Sequence, residues 1–197
     1  MKLSRQAWVS IRAMIVLTIV CGILYPTAIW VIGLALPAQS NGSLVSQDGK
    51  VVGSSLIGQS FTDKKGNALP EWFQSRPSAA GTGYDASASS GSNYGPENKD
   101  LIEAITARQA AIEKSDGVPA SEIPADALTA SASGLDPHIS PAYALEQVSR
   151  VAAARGLSES SVHALVEQFI QGRDLGYLGE PTVNVLQLNI ALAALKS

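Results

Sequence analysis

Residues 13–36, AMIVLTIVCGILYPTAIWVIGLAL, decide the architecture of this chain of 197 residues. The stretch holds 24 consecutive residues without a charge. As a helix it would extend about 36 Å at ~1.5 Å per residue, which is enough to cross a hydrocarbon layer of ~30 Å. The sequence therefore predicts one transmembrane helix.

The charges on either side of this stretch predict its orientation. Lys2, Arg5 and Arg12 precede it without an acidic residue, whereas the first charge after it is Asp48. Basic residues favour the cytoplasmic side of a membrane. We therefore expect a cytoplasmic tail at 1–12, a membrane helix at 13–36 and an extracytoplasmic domain at 37–197.

A cleaved signal peptide is the alternative interpretation, because Leu36-Pro37-Ala38 offers a small residue at a possible cleavage point. Signal peptides have apolar cores of ~7–15 residues, and this stretch is longer. Leu36 is also poorly suited to the small site three positions before a cleavage. The length favours an uncleaved anchor.

Composition narrows the function further. Hydrophobic residues make up 46% of the chain and charged residues 16%, but the mean hydropathy of +0.13 is too low for many membrane crossings. The net charge of −3 argues against a nucleic-acid partner. Outside the membrane the 11 basic and 17 acidic residues give a net charge of −6, and the one cysteine, Cys21, lies within the apolar stretch.

Small residues and a proline recur along one side of the predicted membrane helix, at Thr18, Gly22, Pro26 and Gly33. Small side chains let membrane helices approach closely, so these positions form a candidate packing face against another helix. Glycine and proline are also simply common in membrane helices, and composition alone does not separate the two interpretations.

The outer domain begins with a hairpin signal and then a long loop. Short apolar pairs flank Asp48-Gly49, which predicts two or three short strands. Residues 78–95, SAAGTGYDASASSGSNYG, follow no hydrophobic period and predict a long loop. A flexible linker is the simplest interpretation of that composition.

Helical signals dominate the remainder. Each predicted helix has a capping residue, a stop signal or an apolar face at helical spacing. The fold class is therefore α+β, with one membrane helix followed by a domain of a few short strands and about four helices. The helices are expected after Asn98 up to Asp116-Gly117, from Ser140-Pro141 to Arg155-Gly156, after Ser158, and from about Val183 to Lys196.

A search for catalytic and metal-binding patterns finds no phosphate loop, nucleophile elbow or zinc spacing. Asp136, His138 and Ser140 are the residue types of a hydrolase triad, but close neighbours in a loop rarely reach triad geometry. Ser140 is better explained as a helix cap, and His163 as a surface histidine. We expect no catalytic residue, metal site or intrinsic cofactor.

Several dense strings in the predicted loops carry a family resemblance. The strings are VGSSLIGQSF at 52–61, WFQSRPSAAG at 72–81, GSNYGPENKDL at 91–101, SASGLDPHISPAYALEQVSRVAAARG at 131–156 and LGEPTVNVLQLNIAL at 178–192, and Leu24-Tyr25-Pro26 precedes them in the anchor. With these strings in this order, the chain resembles the C subunit of the bacterial potassium-transporting P-type ATPase, the KdpC family. The resemblance is collinear over nearly the whole chain.

The resemblance implies a place in an inner-membrane assembly for high-affinity potassium uptake. The implied partners are a channel-like potassium-translocating subunit, an ATP-hydrolysing P-type subunit and a small single-span subunit. It implies a catalytic chaperone that raises the ATP affinity of the hydrolysing subunit, with ATP as an implied ligand. An alternative is a periplasmic cap that shapes potassium access to the channel-like subunit.

Three loops are candidates for partner contact, because loops of serine, asparagine and glycine with buried polar ends hold fixed shapes. Ordinary turn chemistry explains any single one of their residues equally well. Two further classes stay open, a free-standing anchored binding module and an anchored enzyme. The candidate residues are Gly91, Ser92, Asn93 and Gly95 in the first loop, Gly134, Leu135, Asp136 and Pro137 in the second, and Glu180, Pro181 and Asn184 in the third.

Overall fold

The computed structural model describes residues 3–195. They form two compact units that divide between Leu44 and Val45. The first contains the apolar stretch and the second contains the remaining strands and helices. This division follows the composition, because the long apolar run of residues 13–36 lies in the first unit.

The first unit is built on one long helix, Leu3–Ala35, with a mean hydropathy of 2.3 and no buried residues in its most apolar part. It comprises α1 (Leu3–Ile19), a π-helical turn (Val20–Leu24) and α2 (Tyr25–Ala35), followed by the short α3 (Pro37–Ser40). The wide turn precedes Pro26, which lacks an N–H and crowds the turn before it. One helix in the described residues is thus long and apolar enough to span a membrane, as predicted.

The second unit opens with a hairpin of β1 (Leu44–Gln47) and β2 (Lys50–Ser54). Asp48 and Gly49 connect the strands with φ angles of 50° and 76°. Such angles characterise the tight turns whose twist matches a hairpin, so the predicted hairpin is confirmed. Leu56 lies in a turn, and no third strand forms there in the described structure.

Helices are the main regular structure of the second unit, and the α+β class is confirmed. Asn98 and Ser140 cap helices as predicted, and Ser158 caps the helix predicted to follow it; each accepts a backbone N–H. The helix predicted from Pro141 to Arg155 is interrupted at Gln147. The helices are α4 (Lys99–Asp116), α5 (Ala125–Leu128), α6 (Pro141–Glu146), α7 (Val148–Arg155), α8 (Glu159–Phe169) and α9 (Val185–Ala194), with 3-10 turns at Ala86–Ala88 and Ala120–Glu122.

A small antiparallel sheet has the order β3 (His138–Ile139), β5 (Thr182–Asn184), β4 (Ile170–Gln171). The prediction that the last helix begins near Val183 is wrong, because Val183 lies in the central strand opposite Ile139 and Ile170. Val183 is β-branched and favours a strand, and pairing on both sides places it in the sheet. Asn184 caps α9 by accepting the N–H of Gln187 at 3.1 Å.

The core of the second unit lies between α6, α7, α8, α9 and this sheet. The apolar faces predicted for α8 and the last helix are buried, at Val162, Leu165 and Val166 and at Val185, Leu188 and Leu192 respectively. Phe73 is also fully buried, although it lies outside any helix or strand. The other buried apolar residues of this cluster are Ile123, Ala127, Ile139, Tyr143, Ala144, Val148, Val151, Ala152 and Val183.

Candidate functional site: a junction of glycine and serine loops

An irregular segment, residues 72–78, runs through the domain and positions the candidate site. Side-chain amides hold its backbone in place of a neighbouring strand. Asn189 accepts the Phe73 N–H at 3.0 Å and donates to the Phe73 carbonyl at 2.9 Å. Gln147 does the same for Gln74, at 2.6 and 3.2 Å. Both amides are buried, so the segment is fixed by hydrogen bonds inside the core.

This segment delivers Arg76 to Asp136, which is 60 positions later in the chain. The Arg76 Nη1 atom lies 3.3 Å from Asp136 Oδ2, and both side chains are mostly buried. Asp136 Oδ1 accepts the His138 N–H at 3.0 Å, which is an Asx turn across Pro137. Burial alone would raise the pKa of Asp136, but hydrogen bonds from His138 and the charge of Arg76 lower it on balance.

Ser78 connects the 78–95 loop to the 131–137 loop. Its hydroxyl donates to the Gly134 carbonyl at 2.6 Å and accepts the N–H groups of Ala80 and Tyr84 at 3.1 and 2.9 Å. The Tyr84 hydroxyl donates to the Arg76 carbonyl at 2.8 Å, and burial raises its pKa to about 12. The 78–95 segment is a loop as predicted, but the interpretation as a flexible linker is wrong.

Glycines allow these loops to touch. At Gly134, where φ is +68°, a Cβ atom would lie 2.6 Å from the Ser90 carbonyl oxygen. At Gly91 it would lie 2.7 Å from the Ala132 carbonyl oxygen. Gly58 donates its N–H to the Leu135 carbonyl at 2.9 Å and leaves no room for a side chain beside Tyr84. We call this meeting of the 58, 76–91 and 131–137 segments the loop junction.

A cleft of about 570 Å³ opens at the loop junction. Leu56, which is 62% exposed, and Leu135 contribute apolar surface, and the Arg76–Asp136 ion pair also lines it. Apolar side chains beside an arginine are typical of protein contact surfaces. The remaining lining residues are Ile57, Ser131, Ala132, Ser133 and Pro137.

Ser140 and the two histidines occupy structural positions. The Ser140 hydroxyl donates to Asp126 at 2.9 Å and accepts the Tyr143 N–H at 3.1 Å, which is the predicted helix cap. Its hydrogen bonds are thus directed away from a triad with His138. His163 is half exposed and faces Glu167 one helical turn later, which agrees with its assignment as a surface residue.

The structure brings together six of the candidate partner-contact residues. Asn184 approaches the junction by donating to the Ser55 carbonyl at 2.8 Å, and Val185 donates to the Pro137 carbonyl at 3.0 Å. Ser92, Asn93 and Gly95 lie exposed farther along the first loop, while Glu180 pairs with Arg173 elsewhere and Pro181 follows it. The residues brought together are Gly91, Gly134, Leu135, Asp136, Pro137 and Asn184.

In the first unit, a Cβ atom at Gly22 would lie 3.9 Å from the Thr18 side chain, so these two positions are neighbours on the helix. The prediction of a packing face against another helix, at Thr18, Gly22, Pro26 and Gly33, stays a prediction.

Sequence reasoning missed Arg76, Ser78, Tyr84 and Gly58 as site residues. One signal was available, because Arg76 is the one basic residue between Lys65 and Lys99. A single basic side chain in a stretch poor in charge, followed by Pro77-Ser78, indicates an ion pair with a specific carboxylate of the same chain. The partner itself, Asp136, is fixed by the tertiary fold.

Comparison with known proteins decides the family. The profile of the KdpC family, described as the c chain of K⁺-transporting ATPase, matches residues 7–194. This chain belongs to the KdpC family. The potassium-transporting ATPase KdpC subunits of Kineococcus radiotolerans and Herpetosiphon aurantiacus are each 53% identical over 190 residues, which cover 96% and 95% of this chain and 94% and 95% of theirs. The Mycobacterium tuberculosis KdpC subunit is 47% identical over 190 residues, 95% of this chain and 97% of its own.

The KdpC resemblance implies ATP as a ligand, and one hollow of the second unit has arginine and tyrosine side chains in its lining. A hollow of about 310 Å³ is lined by Arg76, Arg108, Tyr84 and Tyr143. Its volume is at the low end of the ~300–1,000 Å³ of ligand pockets. Arg76 is paired with Asp136, and Arg108 donates to the Leu128 carbonyl at 2.7 Å. Asp136 neutralises one of these two cations, and a single hydrogen bond to a carbonyl leaves the charge of the other in place.

Proposed function

We propose that this chain is a non-catalytic accessory subunit of an ATP-driven complex for high-affinity potassium transport in a bacterial inner membrane. The observation that carries the proposal is the KdpC match along residues 7–194, which includes the apolar helix and the loop junction. The similar proteins named above, which match along almost their full length, are named as subunits of a potassium-transporting ATPase.

The proposed topology places the N-terminus in the cytoplasm and residues 37–197 in the periplasm. The basic residues before the apolar stretch support it. Alkaline phosphatase fused after Ser197 is expected to be active, and a fluorescent protein that matures only in the cytoplasm is expected to stay dark. The reverse pattern would contradict the topology.

The proposed role is to stabilise the assembly and to raise the ATP affinity of the hydrolysing subunit as a catalytic chaperone. In this proposal ATP is bound by that subunit, because the proposed topology places residues 37–197 on the periplasmic side of the membrane. The effect reaches the nucleotide site through subunit contacts, as an equilibrium that both sites bias.

The loop junction is the proposed contact with the channel-like subunit, and the membrane helix contacts the other spans. A cap that shapes potassium access is the second candidate, and the net charge of −6 after residue 36 favours it. Screening over ~8 Å limits such attraction to the immediate entrance of a pore.

The two roles separate in the purified complex, prepared with and without this chain. A chaperone predicts that the ATP concentration for half-maximal hydrolysis rises roughly 5- to 150-fold without the chain, the range of typical coupling energies. A cap predicts that the half-saturating potassium concentration changes instead. If the complex forms in equal yield and both values are unchanged, both proposed roles are wrong.

A matched pair of variants tests the loop junction as the contact. Leu56 and Ile102 both have aliphatic side chains that are 62% and 53% exposed. Leu56 lines the cleft, whereas Ile102 lies on α4 and does not line it. We expect Leu56→Asp to reduce co-purification with the other subunits and Ile102→Asp to leave it unchanged. Equal behaviour of the two variants would remove the loop junction from the contact.

A further inference from the structure

A second surface of the domain carries exposed apolar side chains on a tight loop. Leu175, Tyr177 and Leu178 are 81%, 69% and 48% exposed. They lie within residues 173–180, between β4 and β5, and none of them packs against the buried core of the domain. We call these three side chains the apolar tip.

The backbone under the apolar tip is held in one conformation. Asp174 and Leu178 exchange two backbone hydrogen bonds of 2.9 Å, which close the loop as a small antiparallel bridge. Arg173 donates to the Gly179 carbonyl at 2.7 Å and pairs with the Glu180 carboxylate. The tip is therefore presented by a closed loop with its own internal hydrogen bonds.

The conformation of this loop is costly for the isolated chain. Leu175 has a φ of 53°, in the left-handed region that disfavours residues with a Cβ atom. The same residue exposes most of an apolar side chain to water. In the described part of the chain neither cost is offset by packing of the tip, and such uncompensated strain with an exposed apolar cluster points to a binding role.

We infer that the apolar tip inserts into an apolar pocket rimmed by basic side chains on another subunit of the same complex. This inference rests on the proposed function, since it names a contact within that assembly. Tyr177 and the two leucines are the anchors. Residues 173–180 include Arg173, Asp174 and Glu180 and so carry a net charge of −1, and in a domain of net charge −6 this is the charge that a basic rim complements.

Charge and rigidity favour this occupant over a lipid surface or a second copy of the chain. Anionic headgroups would be repelled by the net negative charge of the loop and of the domain, and a bilayer gains nothing from one fixed side-chain geometry. A second copy would bring two negatively charged domains together. A preformed protein pocket is the surface that benefits from a rigid tip.

Photo-crosslinking in the intact complex tests the inference. The full chain carries benzoylphenylalanine at position 177, or at the control position 102 on α4, and is co-expressed with the other subunits. We expect a covalent adduct with one other subunit, at least about tenfold more abundant at 177 than at 102, as fits a central anchor rather than a rim contact. Peptide mapping of the adduct is expected to find apolar residues with lysine or arginine nearby.

Other results overturn the inference separately from the proposed function. If the complex co-purifies but position 177 crosslinks to lipid, to a second copy of this chain or no better than position 102, the inference is wrong and the proposed function stands. If the unmodified chain does not co-purify with the other subunits, both are wrong. As a second readout, Tyr177→Ser is expected to speed dissociation roughly tenfold or more and Tyr177→Phe to leave it nearly unchanged.

Discussion

The loop junction and the apolar tip are both built on glycine-containing loops, but glycine has opposite purposes in them. At the junction Gly134 lets two backbones touch, and the Ser78 hydroxyl turns inward to hydrogen-bond. At the tip a Cβ atom at Gly176 or Gly179 would meet no described atom within 4 Å, and the apolar side chains turn outward. Glycine-containing loops thus hold the fold in one place and present a surface in another.

The largest expected effect comes from adding one methyl group at the junction. In Gly134→Ala the new Cβ would lie 2.6 Å from the Ser90 carbonyl and 2.8 Å from Ala80, at a φ of +68°. Overpacking and backbone strain together predict a loss of about 4 kcal/mol in the free energy of unfolding. Urea unfolding of the full chain in mild detergent measures it.

Gly179→Ala is the matched control at the tip. Its φ is +74°, but its surroundings are open. Only the backbone strain of ~1 kcal/mol is then expected. If the two substitutions cost the same, the contrast between a packed and an open loop is wrong.

A somewhat smaller effect is expected when the amide that holds the 72–78 segment is removed. Asn189→Leu leaves the N–H and the carbonyl of buried Phe73 without their partners. Each unsatisfied group costs ~1–3 kcal/mol, so we expect a loss of about 3 kcal/mol in thermal or urea unfolding. Gln168→Leu on the exposed face of α8 is the control and should change stability by less than ~0.5 kcal/mol.

One buried carboxyl group, that of Glu146, predicts that the stability of the domain depends on pH. Both carboxylate oxygens of Glu146 are buried without a hydrogen-bond partner. Burial, followed by the charge of Asp116, raises the pKa of Glu146 from 4.5 to about 7. The folded chain therefore binds more protons than the unfolded chain between these values, and this contribution to stability falls as the pH rises from 4.5 to about 7.

Glu146→Gln is expected to remove that decline, so that the variant gains stability relative to the parent as the pH rises to 7 and above. Melting temperatures between pH 4.5 and 8 measure the difference. Gln168→Leu, on the exposed face of α8, changes no titratable group and should leave the pH profile unchanged. An unchanged profile for Glu146→Gln would show that its carboxyl group is not protonated in the fold near neutral pH.

The smallest effects compare the ion pairs of the two regions. Asp136→Asn keeps the acceptor for the His138 N–H but loses the charge facing Arg76, and about 1 kcal/mol is expected. The stability that ionised Asp136 contributes is lost as the pH falls, because the pKa of Asp136 is lowered in the fold. Glu180→Gln in the exposed pair should cost less than ~0.5 kcal/mol. Equal costs would mean that burial does not distinguish the pairs.

Much of the fold could be predicted because its signals are local. Asn98, Ser140 and Ser158 cap helices that begin at the next residue, and Asp48-Gly49 forms the expected tight turn. The helix break at Gln147 and the strand at Val183 were missed. Both depend on contacts with distant segments, since Gln147 bonds Gln74 and Val183 pairs with two other strands.

The candidate site was predicted in part. The 131–137 loop and Gly91 were identified from their composition and meet at the junction, whereas Arg76, Ser78 and Tyr84 were recognised only in the structure. The flexible interpretation of residues 78–95 failed because serine and glycine favour disorder only when they lack partners. Ser78 finds its partners 56 positions away, at Gly134.

The sequence by itself determined the long apolar helix, the charge asymmetry, most helix boundaries and the KdpC resemblance, since these depend on runs, caps and motifs within a few residues. Only the tertiary structure decided which loops meet and which face water. Phe73 and Asn189 bond across 116 positions, and Arg76 meets Asp136 across 60. Such pairs form because burial requires each polar group to find a partner, and the packed core decides which partner is within reach.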